Sequence, residues 1–69
     1  MYVAMAGALE DLRVKFLNLY ANLPLNIRKE IIVILDHEPI SWNVAYLEIN
    51  GETKKGQEIL KKLKALSIL

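Results

Sequence analysis

Few side chains in this sequence of 69 residues could take part in catalysis. Nucleophilic hydrolysis needs a Ser, Thr or Cys next to a base that a third group holds in place. His37 is the sole histidine, and nothing in the sequence places it against Ser41 or Ser67 together with a second carboxylate. A glycine-rich phosphate-binding loop is also missing from the sequence. We therefore predict a protein that is not an enzyme and has no catalytic residue or cofactor.

Three consecutive residues, Asp36, His37 and Glu38, carry side chains that bind metals. Consecutive side chains point in different directions in a helix or a strand, so three in a row do not converge on one ion. The sequence contains no cysteine, which excludes disulfides and cysteine-based zinc sites. We therefore predict a solvated turn over residues 36–39 and no metal site.

The elements that would position any such residues begin with two helical patterns. Near the start, apolar residues recur at steps of three and four, as on one face of a helix. They are Met5, Ala8, Leu9, Leu12, Phe16, Leu19, Tyr20 and Leu23. This pattern predicts a helix over 4–21, which ends before Pro24 because a residue preceding proline avoids the α region. A second pattern predicts the last helix over 53–66. Its apolar residues are Ile59, Leu60, Leu63 and Leu66.

Residues 24–36 fit either a helix or a strand. Pro24 suits the first turn of a helix, where its missing N–H is no loss. Residues 31–35, however, are an unbroken apolar run rich in β-branched side chains that fits a buried strand equally well. We favour the helix because its start signal precedes the run without a break.

Residues 39–49 are also ambiguous. As a helix, the segment has Pro39 at its start and Asn50-Gly51 as a left-handed stop. As a strand over 42–49, it has alternating apolar residues, and Asn50-Gly51 becomes the turn of a β-hairpin. We again favour the helix.

The favoured fold is therefore all-α, a small four-helix bundle-like single domain over residues 1–69. The helices are predicted at 4–21, 24–36, 39–49 and 53–66. The alternative is an α+β fold with strands at 31–35 and 42–49.

Positive charge is concentrated near the end of the sequence. Residues 1–50 carry four basic and six acidic residues, a net charge of −2, whereas residues 51–69 carry five basic and two acidic residues, a net charge of +3. The charge of the whole chain is only +1, so it favours no class of partner. Any attraction to an anionic partner would come from the last predicted helix.

The last two predicted helices and the tight turn between them resemble a helix-turn-helix DNA-binding unit over about residues 39–69. Ala45 is the small residue at the helix crossing, and residues 56–63 look like the recognition helix of a winged-helix regulator. The resemblance implies DNA contacts by Thr53, Lys54, Lys55, Gln57, Lys61, Lys62 and Lys64. The alternative, which we favour, is a core-packed helix whose lysines are simply solvated.

Trp42 and Tyr46 are four residues apart and would lie on one side of a helix. They can anchor the core, which we favour, or form part of a protein interface, where such residues are enriched. The apolar start of the sequence would join them in that interface. The candidate interface residues are Met1, Tyr2, Val3, Met5, Trp42 and Tyr46.

Hydrophobic residues make up 54% of the sequence, and the mean hydropathy is +0.23. A domain of this size has a large surface relative to its volume, and some of its apolar side chains therefore remain exposed or contact a partner. The sequence predicts a binding module that acts through protein–protein contacts, self-association included. A DNA-binding helix-turn-helix is the alternative, and a saposin-like bundle binding lipid or another apolar ligand comes third.

Charged residues interrupt every apolar stretch before it is long enough to span a membrane. The first basic residue is Arg13, so the apolar start does not have the basic region of a signal peptide. We therefore predict a cytoplasmic protein without a membrane span. The Ile-, Lys- and Glu-rich usage with a single Gln is typical of a thermophile.

Overall fold

The computed structural model describes the backbone of residues 2–69 and the side chains of residue 7 and residues 9–69. In chain order the elements are α1 (Tyr2–Ala21), a 3₁₀ turn (Ile27–Lys29), β1 (Ile31–Leu35), β2 (Glu38–Ser41), α2 (Trp42–Asn50) and α3 (Lys54–Ala65). The fold is α+β, with three α-helices and one two-stranded antiparallel sheet in this part of the chain. The prediction of an all-α four-helix bundle is therefore wrong.

Helix α1 agrees with the helix predicted over 4–21. Leu12 and Phe16 are buried in the core, and the helix ends before Pro24 as expected. Leu19, which belongs to the predicted apolar stripe, is instead 41% exposed. The side chain of Asn22 donates to the carbonyl oxygen of Asn18 at 2.9 Å, which satisfies one of the free carbonyl groups at the helix end.

The helix predicted over 24–36 is not formed, because residues 31–35 are the first strand of a β-hairpin. The helical start signal yields only the 3₁₀ turn, and Glu30, with φ −76° and ψ 148°, already has extended backbone. The β-branched run of β1 then pairs with β2, which supplies the cross-strand partners that such residues favour. The alternative strand at 31–35 is thus confirmed, whereas the alternative strand at 42–49 is wrong because that segment is helical.

The hairpin turn lies at Asp36 and His37, inside the turn predicted over 36–39. Leu35 pairs with Glu38, so the loop has two residues, and both have positive φ, 51° and 69°. A two-residue loop with positive φ at both positions is the type I′ arrangement that matches the twist of a hairpin. The hairpin turn that the strand alternative placed at Asn50-Gly51 is not present.

A register shift in β1 decides which of its side chains face outward. Ile31 pairs with Ser41 and Val33 pairs with Ile40, so β1 has one extra residue between these two pairs. Strict alternation would place Ile31 and Val33 on the same face, but the bulge moves Ile31 to the face of Ile34. Ile31 and Ile34 are 54% and 62% exposed, while Val33 and Ile40 are buried in the core.

Helix α2 begins three residues later than predicted, because 38–41 form β2. Ser41 Oγ accepts a hydrogen bond from the backbone N–H of Val44 at 3.1 Å and so caps the helix. The helix ends at Asn50, one residue after the predicted end at 49, but Gly51 keeps right-handed backbone (φ −78°) and the left-handed residue is Glu52 (φ 56°). The predicted position of the left-handed stop is therefore wrong.

Helix α3 agrees with the helix predicted over 53–66. Thr53 Oγ1 caps it by accepting from the backbone N–H of Gly56 at 3.0 Å. Its buried residues pack with those of α1, α2 and the inner face of the hairpin. Among the described side chains, this core consists of Leu12, Phe16, Val33, Ile40, Ala45, Ile49, Ile59, Leu60 and Leu63.

No helix in the described part of the chain combines the length and the apolar character that crossing a membrane requires.

Candidate functional site

An aromatic stack joins α1 to α2. The ring of Phe16 stacks against Trp42 with centroids 5.7 Å apart, and Tyr20 stacks against Tyr46 at 4.4 Å. Trp42 and Tyr46 are four residues apart on α2, so one side of that helix lies along the aromatic side of α1. Both side chains of the predicted pair are half-buried, and these rings contact α1 of the same chain.

Arg28 extends this stack from the connection between α1 and β1. Its guanidinium lies over the ring of Tyr20, 4.3 Å from the centroid, and donates to the carbonyl oxygen of Ala21 at 3.4 Å. Tyr20 is thus held between a cation and the ring of Tyr46. Sequence reasoning missed Arg28 because nothing in its local sequence indicates an aromatic partner eight residues earlier.

The other predicted interface residues, Met1, Tyr2, Val3 and Met5, lie outside the side chains that the structure describes. Their proposed contact with Trp42 and Tyr46 stays a prediction.

The side of α2 that is turned away from the core exposes two apolar and two amide side chains, and we call it the α2 outer face. It consists of Asn43, Val44, Leu47 and Asn50, all of them exposed. Leu47 is 69% exposed, and Val44 lies one turn before it. Tyr20 Oη donates to Asn43 Oδ1 at 2.7 Å, so this asparagine has a fixed amide orientation.

Glu48 is the only charged residue in the sequence of α2, and it is half-buried. Its carboxylate accepts a hydrogen bond from Thr53 Oγ1, and its carbonyl oxygen accepts from both the hydroxyl and the backbone N–H of Thr53. These bonds hold Glu48 against the start of α3. The α2 outer face is therefore free of charged side chains, and sequence reasoning missed it because exposure depends on how α2 packs.

A second apolar surface lies on the hairpin, and we call it the hairpin outer face. It consists of Ile31, Ile34 and Pro39, which are all exposed. Acidic residues flank it, since Glu30 precedes β1 and Asp36 follows it.

Four lysines of α3 lie on the exposed half of the helix, opposite its buried residues. By the 100° step per residue, Lys54 and Lys61 lie near the middle of that half, and Lys62 and Lys64 lie toward its two flanks. All four are exposed, as is Gln57. The sequence prediction grouped these residues as DNA contacts, and the structure leaves them open to solvent.

Two other predicted DNA contacts already bind groups of the same chain. Thr53 caps α3 and donates to Glu48, and Lys55 Nζ lies 2.7 Å from Glu38 Oε1 on the hairpin. The hydrogen bond and charge of Glu38 raise the pKa of Lys55 above its usual value, despite the opposing effect of desolvation. At the start of α3, where a recognition helix reads bases, Thr53 and Lys55 are thus already occupied, whereas Lys54 and Gln57 are exposed.

The α2–α3 crossing is closer than a side chain at residue 56 would allow. A Cβ built on Gly56 would lie 2.7 Å from the carbonyl carbon of Glu48 and 2.9 Å from the backbone nitrogen of Ile49. Ala45 is fully buried on α2. Small residues thus sit on both helices of a unit whose helices are joined by three residues, Gly51, Glu52 and Thr53, as in helix-turn-helix proteins.

His37 lies in the exposed hairpin turn. Within the described residues, no three His, Asp or Glu side chains come together in a way that could hold a metal ion.

A cleft of about 210 Å³ lies between α1 and the start of α3. Arg13 lines it, with Nε donating to the carbonyl oxygen of Ile49 at 3.4 Å and Nη1 paired with Glu10 at 3.2 Å. Pockets for drug-sized ligands are usually larger, roughly 300–1,000 Å³. The guanidinium of Arg13 already binds groups of the chain, and Glu52 also lines the cleft.

Comparisons of the chain with models of known protein families, with curated proteins and with solved structures find no match.

Proposed function

We propose that this chain is a non-enzymatic binding module that acts in the cytoplasm through protein–protein contacts, binding to its own copy included. The observation that carries the proposal is how its apolar side chains are divided between the core and the surface. Among the described side chains, nine hydrophobic residues are buried and nine large hydrophobic residues are exposed.

Two of the exposed residues, Val44 and Leu47, lie together on the α2 outer face, and Ile31 and Ile34 lie together on the hairpin outer face. Scattered single apolar residues are ordinary on a protein surface, whereas grouped ones are typical of contact sites. Burying one Leu or Ile side chain contributes roughly 1.5–3 kcal/mol relative to leaving it exposed. Two such residues on each partner therefore support a contact of modest strength.

The test is the mass of the purified chain in solution over a concentration series. We expect sedimentation velocity or light scattering to show a dimer or larger species that grows with concentration, with a dissociation constant of about micromolar or weaker, since the grouped apolar residues are few. A monomeric mass throughout a series that extends to millimolar protein would contradict self-association.

A DNA-binding role is the second candidate, and the α2–turn–α3 geometry supports it. Gly56 permits a close crossing of α2 and α3, the turn between them has the length of a helix-turn-helix turn, and Lys54, Lys61, Lys62 and Lys64 are exposed. We rank it below protein binding because Lys55 is paired with Glu38 and the hydroxyl of Thr53 is occupied.

Fluorescence anisotropy with a labelled DNA duplex tests this second candidate. Binding through phosphates must weaken steeply as salt rises from about 50 to 200 mM, because each neutralised phosphate releases counterions. Lys54→Glu combined with Lys61→Glu is expected to abolish such binding, while Lys15→Glu combined with Lys29→Glu, two exposed residues outside α3, serves as the charge-matched control. Absence of binding at low salt would eliminate the DNA-binding role and leave the protein-binding proposal intact.

A further inference from the structure

Asn50 is the last residue of α2 and Gly51 is the first residue of the turn before α3, and both are exposed. We propose that Asn50 is a site of spontaneous deamidation, at which the backbone nitrogen of Gly51 attacks the side-chain amide and the end of α2 controls the rate. The reaction converts a neutral side chain into an acidic one. It does not depend on which partner the chain binds.

The reaction needs neither an enzyme nor an oxidant. The Gly51 nitrogen, once deprotonated, forms a bond to Asn50 Cγ, and the bond between Cγ and Nδ2 breaks. The amide nitrogen takes up a proton and leaves as ammonia, so that a five-membered succinimide ring remains. Water then opens this ring at either of its two carbonyl groups, which gives aspartate or isoaspartate at position 50.

The residue after each asparagine decides which asparagine reacts. All the asparagines of the chain are exposed, so exposure does not distinguish them. Asn50 alone precedes a glycine, whereas a Leu, Ile or Val follows each of the others, which are Asn18, Asn22, Asn26 and Asn43. Because glycine has no Cβ, its backbone can approach another group closely. A branched side chain at the same position hinders the attacking nitrogen.

In the folded chain, the end of α2 restrains the attacking nitrogen. The backbone N–H of Gly51 donates to the carbonyl oxygen of Leu47 at 3.1 Å. This hydrogen bond must break before the nitrogen can lose its proton. Closure of the ring also needs rotation about the Cα–C bond of Asn50, which the helical backbone fixes. The intact last turn of α2 therefore protects Asn50.

The same turn is a place where the helix opens readily. Helix ends fray, and local opening of an end costs less free energy than global unfolding. Glu52, two residues after Asn50, has left-handed backbone with φ 56°, a conformation that is costly for a residue with a Cβ. This cost favours the open state, in which the Gly51 nitrogen is released. The rate of deamidation is therefore expected to follow the opening of this turn.

The product changes the charge where α2 meets the turn. A carboxylate at position 50 lies at the negative end of the helix dipole and is unfavourable there. Glu48 and Glu52, two residues before and two residues after, add like charges nearby. The modified chain is expected to hold α2 and the turn less firmly, so Asn50→Asp, which copies one product, should lower the melting temperature.

The test follows the full chain over time by mass spectrometry, folded and in guanidinium chloride, at two mildly alkaline pH values. Peptide mapping locates the small gain in mass and separates aspartate from isoaspartate. We expect product at position 50 and not at the other asparagines, and faster reaction at the higher pH, because the deprotonated nitrogen attacks. The folded chain is expected to react about two- to tenfold more slowly than the unfolded chain, since one hydrogen bond must break first.

Two variants separate the chemistry from the structural control. Gly51→Ala keeps the amide of Asn50 and hinders the attack, so it is expected to slow the reaction in both the folded and the unfolded chain. Glu52→Gly removes the cost of left-handed backbone, so it is expected to slow the reaction in the folded chain alone. Far-UV circular dichroism establishes that each variant keeps its helical content. If Gly51→Ala fails to fold, the rate in guanidinium chloride still measures the hindrance.

Asn43 provides the comparison within the same helix, because it is exposed on α2 and precedes Val44. Reaction of Asn43 as fast as that of Asn50 in the unfolded chain would overturn the assignment of the site. Equal rates at Asn50 in the folded and the unfolded chain would overturn the control by α2, as would an unchanged folded rate in Glu52→Gly.

Discussion

The α2–α3 unit and the β-hairpin are neighbouring regions built in opposite ways. In α2–α3, hydroxyl caps fix the start of each helix, Gly56 allows a close crossing, and Ile59 and Leu63 are fully buried. In the hairpin, only the inner face contributes to the core, and the turn has two non-glycine residues at positive φ. α2–α3 is thus specified largely by its own residues, whereas the hairpin depends on the surface it packs against.

The largest expected difference between the two regions concerns the free energy of unfolding when a buried or an exposed isoleucine is replaced by alanine. Ile59→Ala is expected to destabilise the chain by about 2–5 kcal/mol, because it leaves a cavity at a fully buried site. Ile34→Ala is expected to change stability by no more than about 0.5 kcal/mol. Urea unfolding at concentrations where the chain is monomeric measures both. Equal losses would mean that the hairpin outer face is buried after all.

Gly56→Ala tests the close crossing. The added Cβ has to displace the backbone of α2 near Glu48, and we expect a loss of about 1–3 kcal/mol. Gly7→Ala on α1 is the control, because a Cβ at residue 7 meets nothing within 4 Å in the described structure. Alanine is also a better helix former than glycine, so this variant is expected to gain up to about 1 kcal/mol in the free energy of unfolding. Thermal unfolding followed by circular dichroism is the measurement. Stabilisation by Gly56→Ala would show that α2 and α3 lie farther apart.

The cap of α3 gives the next effect. Thr53→Ala removes the acceptor for the Gly56 N–H and is expected to cost about 1 kcal/mol in the free energy of unfolding. Thr53→Ser keeps the hydroxyl and is expected to retain most of the stability. Chemical unfolding of the two variants side by side measures the difference. If both variants lost the same free energy of unfolding, the hydroxyl would not be the cap.

The hairpin turn is expected to gain stability from glycine. His37 has φ 69°, and a glycine adopts this conformation without the cost that a Cβ imposes, so His37→Gly should stabilise the chain by about 0.4–1 kcal/mol. His37→Ala keeps the Cβ and isolates the loss of the imidazole. The melting temperature is the readout, and a gain in the alanine variant as large as in the glycine variant would assign the effect to the imidazole.

The smallest effect concerns the ion pair that links the two regions, Lys55 with Glu38. The folded pKa of Lys55 is raised above its usual 10.5, mainly by the hydrogen bond to Glu38. The pair therefore stabilises the fold fully below about pH 10.5, and this contribution is lost as the pH rises through the folded pKa. Glu38→Gln is expected to flatten that alkaline dependence in unfolding experiments, with little effect at neutral pH. An unchanged alkaline slope would contradict the pairing.

The candidate site was predicted only in part. Trp42 and Tyr46 were correctly expected to share one side of a helix, but their partners Phe16 and Tyr20 lie 26 residues away along the sequence. The α2 outer face was not predicted, because the periodicity of α2 does not distinguish Leu47 from the apolar residues that are buried. Exposure became known only from the direction in which α2 packs.

The sequence alone specifies α1 and α3, whereas for residues 39–49 it favoured a helix and left a strand open. Their signals are local, since apolar periodicity, the Ser and Thr caps and the proline after α1 act within a few residues. Only the tertiary structure decided that residues 31–35 form a strand. The same β-branched run suits a buried helix or a strand, and the choice depends on whether β2 lies beside it and α3 packs against it. The bulge that turns Ile31 outward is likewise a property of strand pairing, which no single segment specifies.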